Sequence, residues 1–241
     1  MEKIPKTVLI TGASRRLGRA IAEDMAAHGF AIAVHARSSI LEAEEFANTI
    51  RRNGGKAQAF AADLADIAST SDLMEKASNA FGPIGILINN ASIFRSDSAD
   101  TFDSATFDAH FAVHVRAPSI LAAGLMHQLP QDMNGLIVNI IDQRVWAPNP
   151  RFYSYTLSKS ALWTATQTMA QAFAPRVRVN AIGPGPSFRS ERQRPQDFQA
   201  QIDGLILKRG PQPDEFGRTV RFLFDTPSIT GQMIALDGGQ H

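Results

Sequence analysis

Short apolar runs of strand length alternate with amphipathic helical stretches along this chain, and this alternation is the feature that most constrains its fold. It is typical of β-α-β units, in which successive parallel strands join one sheet with helices on its faces. The sequence therefore predicts an α/β, doubly wound fold in a single domain over residues 1–241. Strands are predicted over 7–11, 31–35, 57–61, 84–88, 136–141 and 176–180, and helices over 16–28, 41–52, 69–81, 105–128 and 152–173.

The segment 186–214 departs from this alternation. It is rich in Arg, Gln and Pro and contains one short helical stretch near 198–207. A long insertion late in such a fold often forms a lid over the active site, whereas a plain surface excursion would have a similar composition. We predict a substrate lid at about 186–214 and keep the surface excursion as its alternative.

Charge and residue usage exclude several classes of protein. Lys plus Arg number 24 and Asp plus Glu number 23, so the net charge of +1 creates no strong field for nucleic acid or an anionic membrane. The absence of Cys excludes disulfides, thiolate metal sites and thiol nucleophiles. No apolar run is long enough to span a membrane, and the N-terminal run is too short for a signal peptide. We expect a cytoplasmic protein that acts on a small molecule, with no metal and no nucleic-acid or membrane partner.

A glycine pair joins the first predicted strand to the first helix, in the segment from Thr11 to Gly18. Glycine permits a tight turn there, and the free N–H groups of a helix start can bind a pyrophosphate. The spacing of Gly12 and Gly18 does not match the usual G-x-G-x-x-G pattern. An ordinary strand–helix turn is therefore the alternative to a nucleotide site when this pair is considered alone.

Five motifs in order along the chain resemble those of the short-chain dehydrogenase/reductase family. They are Thr11-Gly12-x-x-x-Arg16-x-Gly18, Asn89-Asn90-Ala91-Ser92, Tyr155-x-x-x-Lys159, Val179-Asn180-x-x-x-Pro184-Gly185 and Leu236-Asp237-Gly238-Gly239. In the first motif, Arg16 replaces the family's middle glycine. The resemblance implies a Rossmann-type domain with a seven-stranded, mostly parallel sheet, helices on both faces and a nicotinamide cofactor.

The end of the second strand indicates which nicotinamide cofactor is bound. An acidic residue there would bind the ribose hydroxyls of NAD, but the chain reads His35-Ala36-Arg37-Ser38-Ser39. Arg37, with Arg15 and Arg16 nearby, suits the 2′-phosphate of NADPH, although each arginine alone would be an ordinary solvated side chain. The predicted cofactor-binding residues are Gly12, Ser14, Arg15, Arg16, Leu17, Gly18, His35, Arg37, Ser38, Asp63, Leu64, Asn90, Ala91, Ser92, Tyr155, Lys159, Pro184, Gly185 and Ser187. Asp63 resembles the family's adenine-contacting Asp, with a loop cap as its alternative.

Tyr155 and Lys159 lie four residues apart on a predicted helix and therefore share one face. A nearby ammonium favours the phenolate, so we expect a lowered pKa for Tyr155 and a proton donor suited to neutral pH. The resemblance implies that Tyr155 donates a proton and that Lys159 binds the nicotinamide ribose. A surface pair without function is the alternative.

Two positions depart from the family pattern. Asp142 stands at the end of the fifth strand, where the family usually has Ser, and His114 aligns with a helical position that is commonly Asn. A family member that has lost its catalytic activity would explain why the usual Ser and Asn are replaced. It would not explain why a Tyr–Lys pair persists beside a carboxylate.

A narrower resemblance, to the pteridine reductases and the related bacterial dihydromonapterin reductases, accounts for these departures. It is carried by Arg15-Arg16-Leu17-Gly18, Asn89-Asn90-Ala91-Ser92-Ile93-Phe94, Ile141-Asp142, His114 and the terminal Asp-Gly-Gly-x-His. The resemblance implies a substrate site of Arg16, Ser92, Phe94, Asp142 and Tyr155, with Phe94 stacking on the flat pterin ring. The alternatives are a core position for Phe94 and a turn-capping role for Asp142.

The resemblance thus implies NADPH-dependent hydride transfer to a dihydropterin C=N bond, with dihydrofolate as a further substrate to test. Asp142 would orient Tyr155 and the pterin and could pass on a proton. One rival is a carbonyl reductase for 3-oxoacyl or other ketones, which an ionised carboxylate beside the developing oxyanion would oppose. Another is a non-catalytic NADPH sensor.

Relatives pair through the two long helices, so we expect a homo-oligomer, a tetramer or a dimer, although these apolar faces equally suit packing on the sheet.

Overall fold

Seven parallel strands form one sheet in the computed structural model, which describes residues 2–189 and 194–241. The strand order is β3-β2-β1-β4-β5-β6-β7. The strands are β1 (Thr7–Ile10), β2 (Ala31–Ala36), β3 (Lys56–Ala61), β4 (Ile86–Asn89), β5 (Gly135–Ile140), β6 (Val177–Pro184) and β7 (Met233–Leu236). The predicted doubly wound α/β fold is therefore confirmed.

Helices cover both faces of this sheet. They are α1 (Arg16–Ala27), α2 (Ile40–Arg52), α3 (Ile67–Phe81), α4 (Ser104–Phe111), α5 (Ala117–Gln128), α6 (Tyr153–Phe173), α7 (Pro195–Asp203) and α8 (Pro213–Asp225). A π-helical segment, Ala112–Arg116, joins α4 to α5, so the long helix predicted over 105–128 contains a wide turn. The prediction missed α8, which begins at a proline that suits the first helical turn because its missing N–H has no helical partner there.

Alternate residues of each strand face opposite layers of the core. In β1, Val8 and Ile10 pack with residues of α1, α2 and α8, whereas Leu9 faces the layer formed by α3, α5 and α6. Strands buried on both sides consist of continuous apolar runs, as the sequence of β1 does. Among the described residues, no helix combines the length and the apolar composition that crossing a bilayer requires.

The segment 186–214 contains α7, close to the helical stretch predicted near 198–207. Residues 190–193, including Arg192, lie outside the described part of the chain. The lid and the single-domain organisation stay predictions.

The strand order predicts a ligand crevice at the edge of the sheet that is formed by the carboxyl ends of the strands. The chain proceeds from β1 to β2 on one side and reaches β4 on the other, so the connections diverge between β1 and β4. Ligands of doubly wound sheets bind outside the carboxyl ends of the strands at such a switch point. The motifs that follow β1, β2, β4 and β5 all meet at this edge.

Candidate active site

The loop between β1 and α1 is shaped for close approach of a ligand. Gly12 has a φ of +64°, in the left-handed region, and a Cβ on Gly18 would lie 2.4 Å from the Gly12 carbonyl oxygen. Among the residues that the structure describes, no side chain caps the start of α1. Its first backbone N–H groups are therefore available to an anionic group such as a pyrophosphate.

Arg16 adopts a left-handed backbone conformation, which favours glycine, the residue that it replaces in the family motif. Its φ is +52°, which costs a non-glycine residue roughly 1 kcal/mol. The guanidinium Nη2 donates to the Phe188 carbonyl at 3.2 Å, and the same group lies 5.8 Å from the centroid of the Phe188 ring. Arg16 thus connects the β1–α1 loop to the segment that follows β6.

Two polar side chains, the buried His35 and the partly buried Asn90, hold the β1–α1 loop in place. The Gly12 N–H donates to His35 Nδ1 at 3.0 Å, and His35 Nε2 donates to the Ala62 carbonyl at 3.0 Å. Asn90 Nδ2 donates to the carbonyls of Thr11 (2.8 Å) and Gly12 (3.0 Å). His35 was predicted to bind the cofactor. Both of its ring nitrogens are bonded to backbone and it is 1% exposed, so its side chain supports the loop instead.

Basic side chains surround the end of β2, where no carboxylate follows the strand. Arg37 is exposed, and Arg15 forms an exposed ion pair with Glu42 at 3.3 Å. The Asp63 carboxylate accepts from the Ala65 N–H at 2.9 Å, so it caps its loop while remaining exposed. The other predicted cofactor residues lie at or beyond the same strand ends: Ser14, Leu17, Ser38, Leu64, Ala91, Pro184, Gly185 and Ser187.

Tyr155 and Asp142 form a direct hydrogen bond at the centre of this edge. The Tyr155 hydroxyl, on a side chain that is 6% exposed, donates to Asp142 Oδ2 at 3.0 Å. Asp142 Oδ1 accepts from the Arg144 N–H at 2.9 Å, at the start of the 3₁₀ turn Gln143–Val145. Asp142 therefore caps the turn and orients the phenol at the same time, so the two roles considered from the sequence coexist.

The electrostatics of Tyr155 differ from the prediction. Burial raises the pKa of the Tyr155 phenol well above its ordinary value, and the negative charge of Asp142 raises it further. Lys159 Nζ donates to the Ile140 carbonyl at 2.8 Å and lies 5.8 Å from the Tyr155 ring centroid. Burial lowers the pKa of Lys159 to about 8, and Asp142 offsets part of that shift. The expectation of a lowered tyrosine pKa is wrong, because burial of the phenol, and after it the nearby Asp142 carboxylate, raise the pKa, and sequence spacing reveals neither.

Two aromatic side chains, Phe94 and Phe152, form a wall beside the Tyr155 ring. Phe94 is 47% exposed, which excludes the core position considered for it. Its ring stacks on Phe152 at 4.2 Å and meets Tyr155 edge-on at 4.7 Å. The Arg144 guanidinium lies 5.7 Å from the Phe94 ring and 5.1 Å from the Phe152 ring. Arg144 and Phe152 were missed from the sequence because their loop has no periodic pattern.

His114 and Ser92 meet behind this wall. His114 Nε2 lies 3.0 Å from Ser92 Oγ, and its Nδ1 lies 2.8 Å from Ser158 Oγ on α6. The imidazole therefore links the loop after β4 to the helix that carries Tyr155. The predicted substrate residues Ser92, Phe94, Asp142 and Tyr155 thus belong to one network, and Arg16 lies in the neighbouring β1–α1 loop.

Comparisons with known proteins show the family to which this chain belongs. Residues 6–197 match the family model described as short chain dehydrogenase. The FolM alternative dihydrofolate reductase 1 of Brucella suis, solved with NADP, is 56% identical with a TM-score of 0.95 over 99% of this chain and 95% of that one. The uncharacterized oxidoreductase YjdA of Bacillus subtilis is 31% identical over 97% of this chain and 96% of that protein. A 3-oxoacyl-[acyl-carrier-protein] reductase of Synechocystis is 29% identical, with the same coverages.

Proposed function

Since the chain belongs to the short-chain dehydrogenase family of oxidoreductases, we propose that it is an NADPH-dependent reductase that converts dihydropterins to tetrahydropterins. The observation that carries this proposal is the hydrogen bond from the Tyr155 hydroxyl to the Asp142 carboxylate, at the position where the family usually has a serine. The 56% identity to an NADP-bound dihydrofolate reductase supports both the cofactor and the substrate class.

The residues at the carboxyl ends of β1 and β2 fit NADPH. A Cβ on Gly18 would collide with the loop, and the uncapped start of α1 leaves N–H groups for the pyrophosphate. Arg37 is an exposed cation at the place where an acidic residue would bind the ribose of NAD. This combination favours the cofactor that carries a 2′-phosphate.

Arg37→Ala is expected to raise the Kd of NADPH by about tenfold or more while changing the Kd of NADH by less than about threefold, because the 2′-phosphate loses a charge-assisted partner. Titration of both cofactors by fluorescence quenching measures the two constants. Arg52→Ala at the other end of α2 is the matched control and should change neither. Equal losses for NADPH and NADH would contradict the assignment of Arg37.

The wall beside Tyr155 fits a flat, electron-poor ring. Phe94 presents an exposed aromatic face, and stacked rings favour such a partner. The amino-pyrimidine edge of a pterin carries N–H donors, and the Asp142 carboxylate is an acceptor next to the Tyr155 hydroxyl. A simple ketone has no N–H donor to offer this carboxylate. A pterin is therefore a better substrate for this site than a simple ketone.

In the proposed reaction, NADPH when bound supplies a hydride to the carbon of the C=N bond. Tyr155 donates its phenolic proton to the adjacent nitrogen, which becomes strongly basic as the hydride arrives. Burial and, after it, Asp142 raise the pKa of Tyr155, so the phenol stays protonated until that moment. Lys159, held by the Ile140 carbonyl, keeps a positive charge beside Tyr155, and the tyrosine regains its proton from solvent after product leaves.

Turnover is expected to fall as the pH rises through about 8, because Lys159 loses its charge there while Tyr155 remains protonated. The measurement is kcat at saturating NADPH and dihydropterin from about pH 6 to about pH 10. In Lys159→Arg the guanidinium stays protonated, so the fall in its residual activity should move to higher pH. An unchanged midpoint in that variant would contradict the assignment of this titration to Lys159.

The function itself is tested by NADPH oxidation with a 7,8-dihydropterin, with NADH in a parallel assay. Turnover that is much faster with NADPH is the expected result, and dihydrofolate is assayed in the same way. NADPH binding without dihydropterin turnover would contradict the proposal. Reduction of a 3-oxoacyl or other ketone would then indicate the carbonyl reductase, and no turnover with any substrate would indicate a sensor.

The proposal includes assembly through the faces of α4, α5 and α6, as a homotetramer or dimer. Leu157 on α6 is 38% exposed, and Phe107 stacks on Phe111 along α4 at 4.4 Å. Apolar side chains on helices that border the site suit contact with a second copy. A cytoplasmic location stays a prediction.

A further inference from the structure

Two buried histidines lie behind Tyr155, His110 at the end of α4 and His114 in the π-helical segment. Their rings stack with centroids 5.5 Å apart and planes inclined by 20°. Each ring also meets the Tyr155 ring edge-on, at 5.9 Å for His110 and 5.5 Å for His114. This pair takes no part in the chemistry proposed above, so its role needs a separate explanation.

On one side, each histidine is bonded to a serine of α6. His110 Nδ1 lies 2.7 Å from Ser154 Oγ, and His114 Nδ1 lies 2.8 Å from Ser158 Oγ. The serines are four residues apart, as are the histidines, so two equivalent His–Ser hydrogen bonds join the two helical segments. Ser158 Oγ in turn donates to the Tyr155 carbonyl at 2.8 Å, so the His114–Ser158 bond is connected to the backbone of the proposed proton donor.

On the other side, each histidine accepts a backbone N–H from the loop after β4. The Ile93 N–H donates to His114 Nε2 at 3.1 Å, and the Arg95 N–H donates to His110 Nε2 at 3.3 Å. A backbone N–H can only donate, so both Nε2 atoms are acceptors and both rings carry their proton on Nδ1. Burial lowers the pKa of both histidines, which keeps the rings in this neutral form.

The two anchored amides belong to the residues on either side of Phe94. The same loop is fixed further on, because the Asp97 carboxylate accepts from the Ser154 N–H at 3.2 Å. Phe94 itself is half exposed, and its place against Phe152 and Tyr155 depends on the backbone that carries it. The backbone of this loop is therefore held by side chains of α4 and of the π-helical segment and by the start of α6.

We infer that His110 and His114 are positioning residues, which hold the amides of Ile93 and Arg95 and so place the Phe94 ring over the substrate site. This inference rests on the proposed function for its kinetic consequence. The clamp formed by the two histidines can also be measured without any substrate, as exchange of the two amide hydrogens.

Two substitutions at His114 separate its two bonds. In His114→Gln, Oε1 reaches the place of Nε2 and can accept from the Ile93 N–H, while the bond to Ser158 is lost. In His114→Asn, the shorter amide reaches only the place of Nδ1, so the bond to Ser158 is kept and the acceptor for the loop is lost. Asparagine is also common at this position in the wider family, so this variant is expected to fold.

His114→Asn is expected to speed amide exchange at Ile93 by about tenfold or more and to raise the KM for dihydropterin by about tenfold, with the Kd of NADPH changed by less than about twofold. His114→Gln should recover most of both losses. His127→Asn, at an exposed position near the end of α5, is the matched control and should resemble the wild type. If His114→Asn does not fold, the same pair of substitutions at His110, measured at the Arg95 amide, gives the test.

The inference is overturned if Ile93 exchange is unchanged in His114→Asn, or if the glutamine and asparagine variants lose dihydropterin affinity equally. Either result would leave only a structural link to Ser158. A wild type that does not turn over dihydropterin would overturn the proposed function, whereas faster Ile93 exchange in the asparagine variant alone would still support the clamp.

Discussion

Tyr155→Phe is expected to lower dihydropterin turnover by about a thousandfold while the Kd of NADPH changes by less than about twofold. General acid catalysis is worth about a hundredfold to ten-thousandfold, and phenylalanine keeps the ring but removes the proton. The rest of the site should persist, because the edge-on contacts of the Tyr155 ring with Phe94 and His114 do not need the hydroxyl. Single-turnover NADPH oxidation measures the loss at the chemical step.

The chain contains a matched control for this variant, since its second tyrosine lies only two residues earlier. Tyr153 begins α6, and Tyr153→Phe should retain the wild-type rate. Turnover by Tyr155→Phe within about tenfold of the wild type would show that another group or a solvent molecule supplies the proton.

Asp142→Ser is expected to lower kcat for dihydropterin by about a hundredfold. The serine is neutral and shorter, so the Tyr155 hydroxyl loses its acceptor at 3.0 Å and the pterin edge loses a carboxylate partner. Removal of the negative charge also lowers the pKa of Tyr155 from its raised value. Steady-state kinetics with dihydropterin and with a panel of ketones measure the two consequences.

Asp132→Ser is the control for this substitution, because Asp132 lies on the surface in an exposed ion pair with Lys3. A gain of ketone reduction in Asp142→Ser would support the view that the carboxylate selects against developing oxyanions. Unchanged dihydropterin turnover without any ketone activity would show that Asp142 is not part of the chemistry.

The fold, and the strand ends at which the candidate site residues meet, could be predicted from local sequence. Alternating apolar and helical stretches determine a parallel sheet whatever the details of packing, and short motifs mark the ends of its strands. Helix α8 was missed, and β6 extends to Pro184, beyond the predicted end at 180. The end of a strand such as β6 depends on which neighbouring strand supplies hydrogen bonds, and a single sequence does not reveal that.

The pKa of Tyr155 and the contacts between residues far apart in the sequence could not be predicted. The pKa of Tyr155 depends on burial and on the distance of the phenol from Asp142, neither of which follows from residue spacing. His35 was assigned to the cofactor from its place after a strand, but its ring faces inward to the Gly12 N–H. The matched spacing of the histidines and serines was visible in the sequence, yet only the fold brings the two helices together.

Arg16 carries a charge on a backbone that favours glycine. Glycine at this position would relieve the left-handed strain and would remove the guanidinium that lies against Phe188. The strain of roughly 1 kcal/mol is therefore set against the contacts that the guanidinium makes with Phe188. A library screened only for heat resistance would report the balance of these two effects and nothing about ligand binding, so this loop needs an activity screen beside any stability screen.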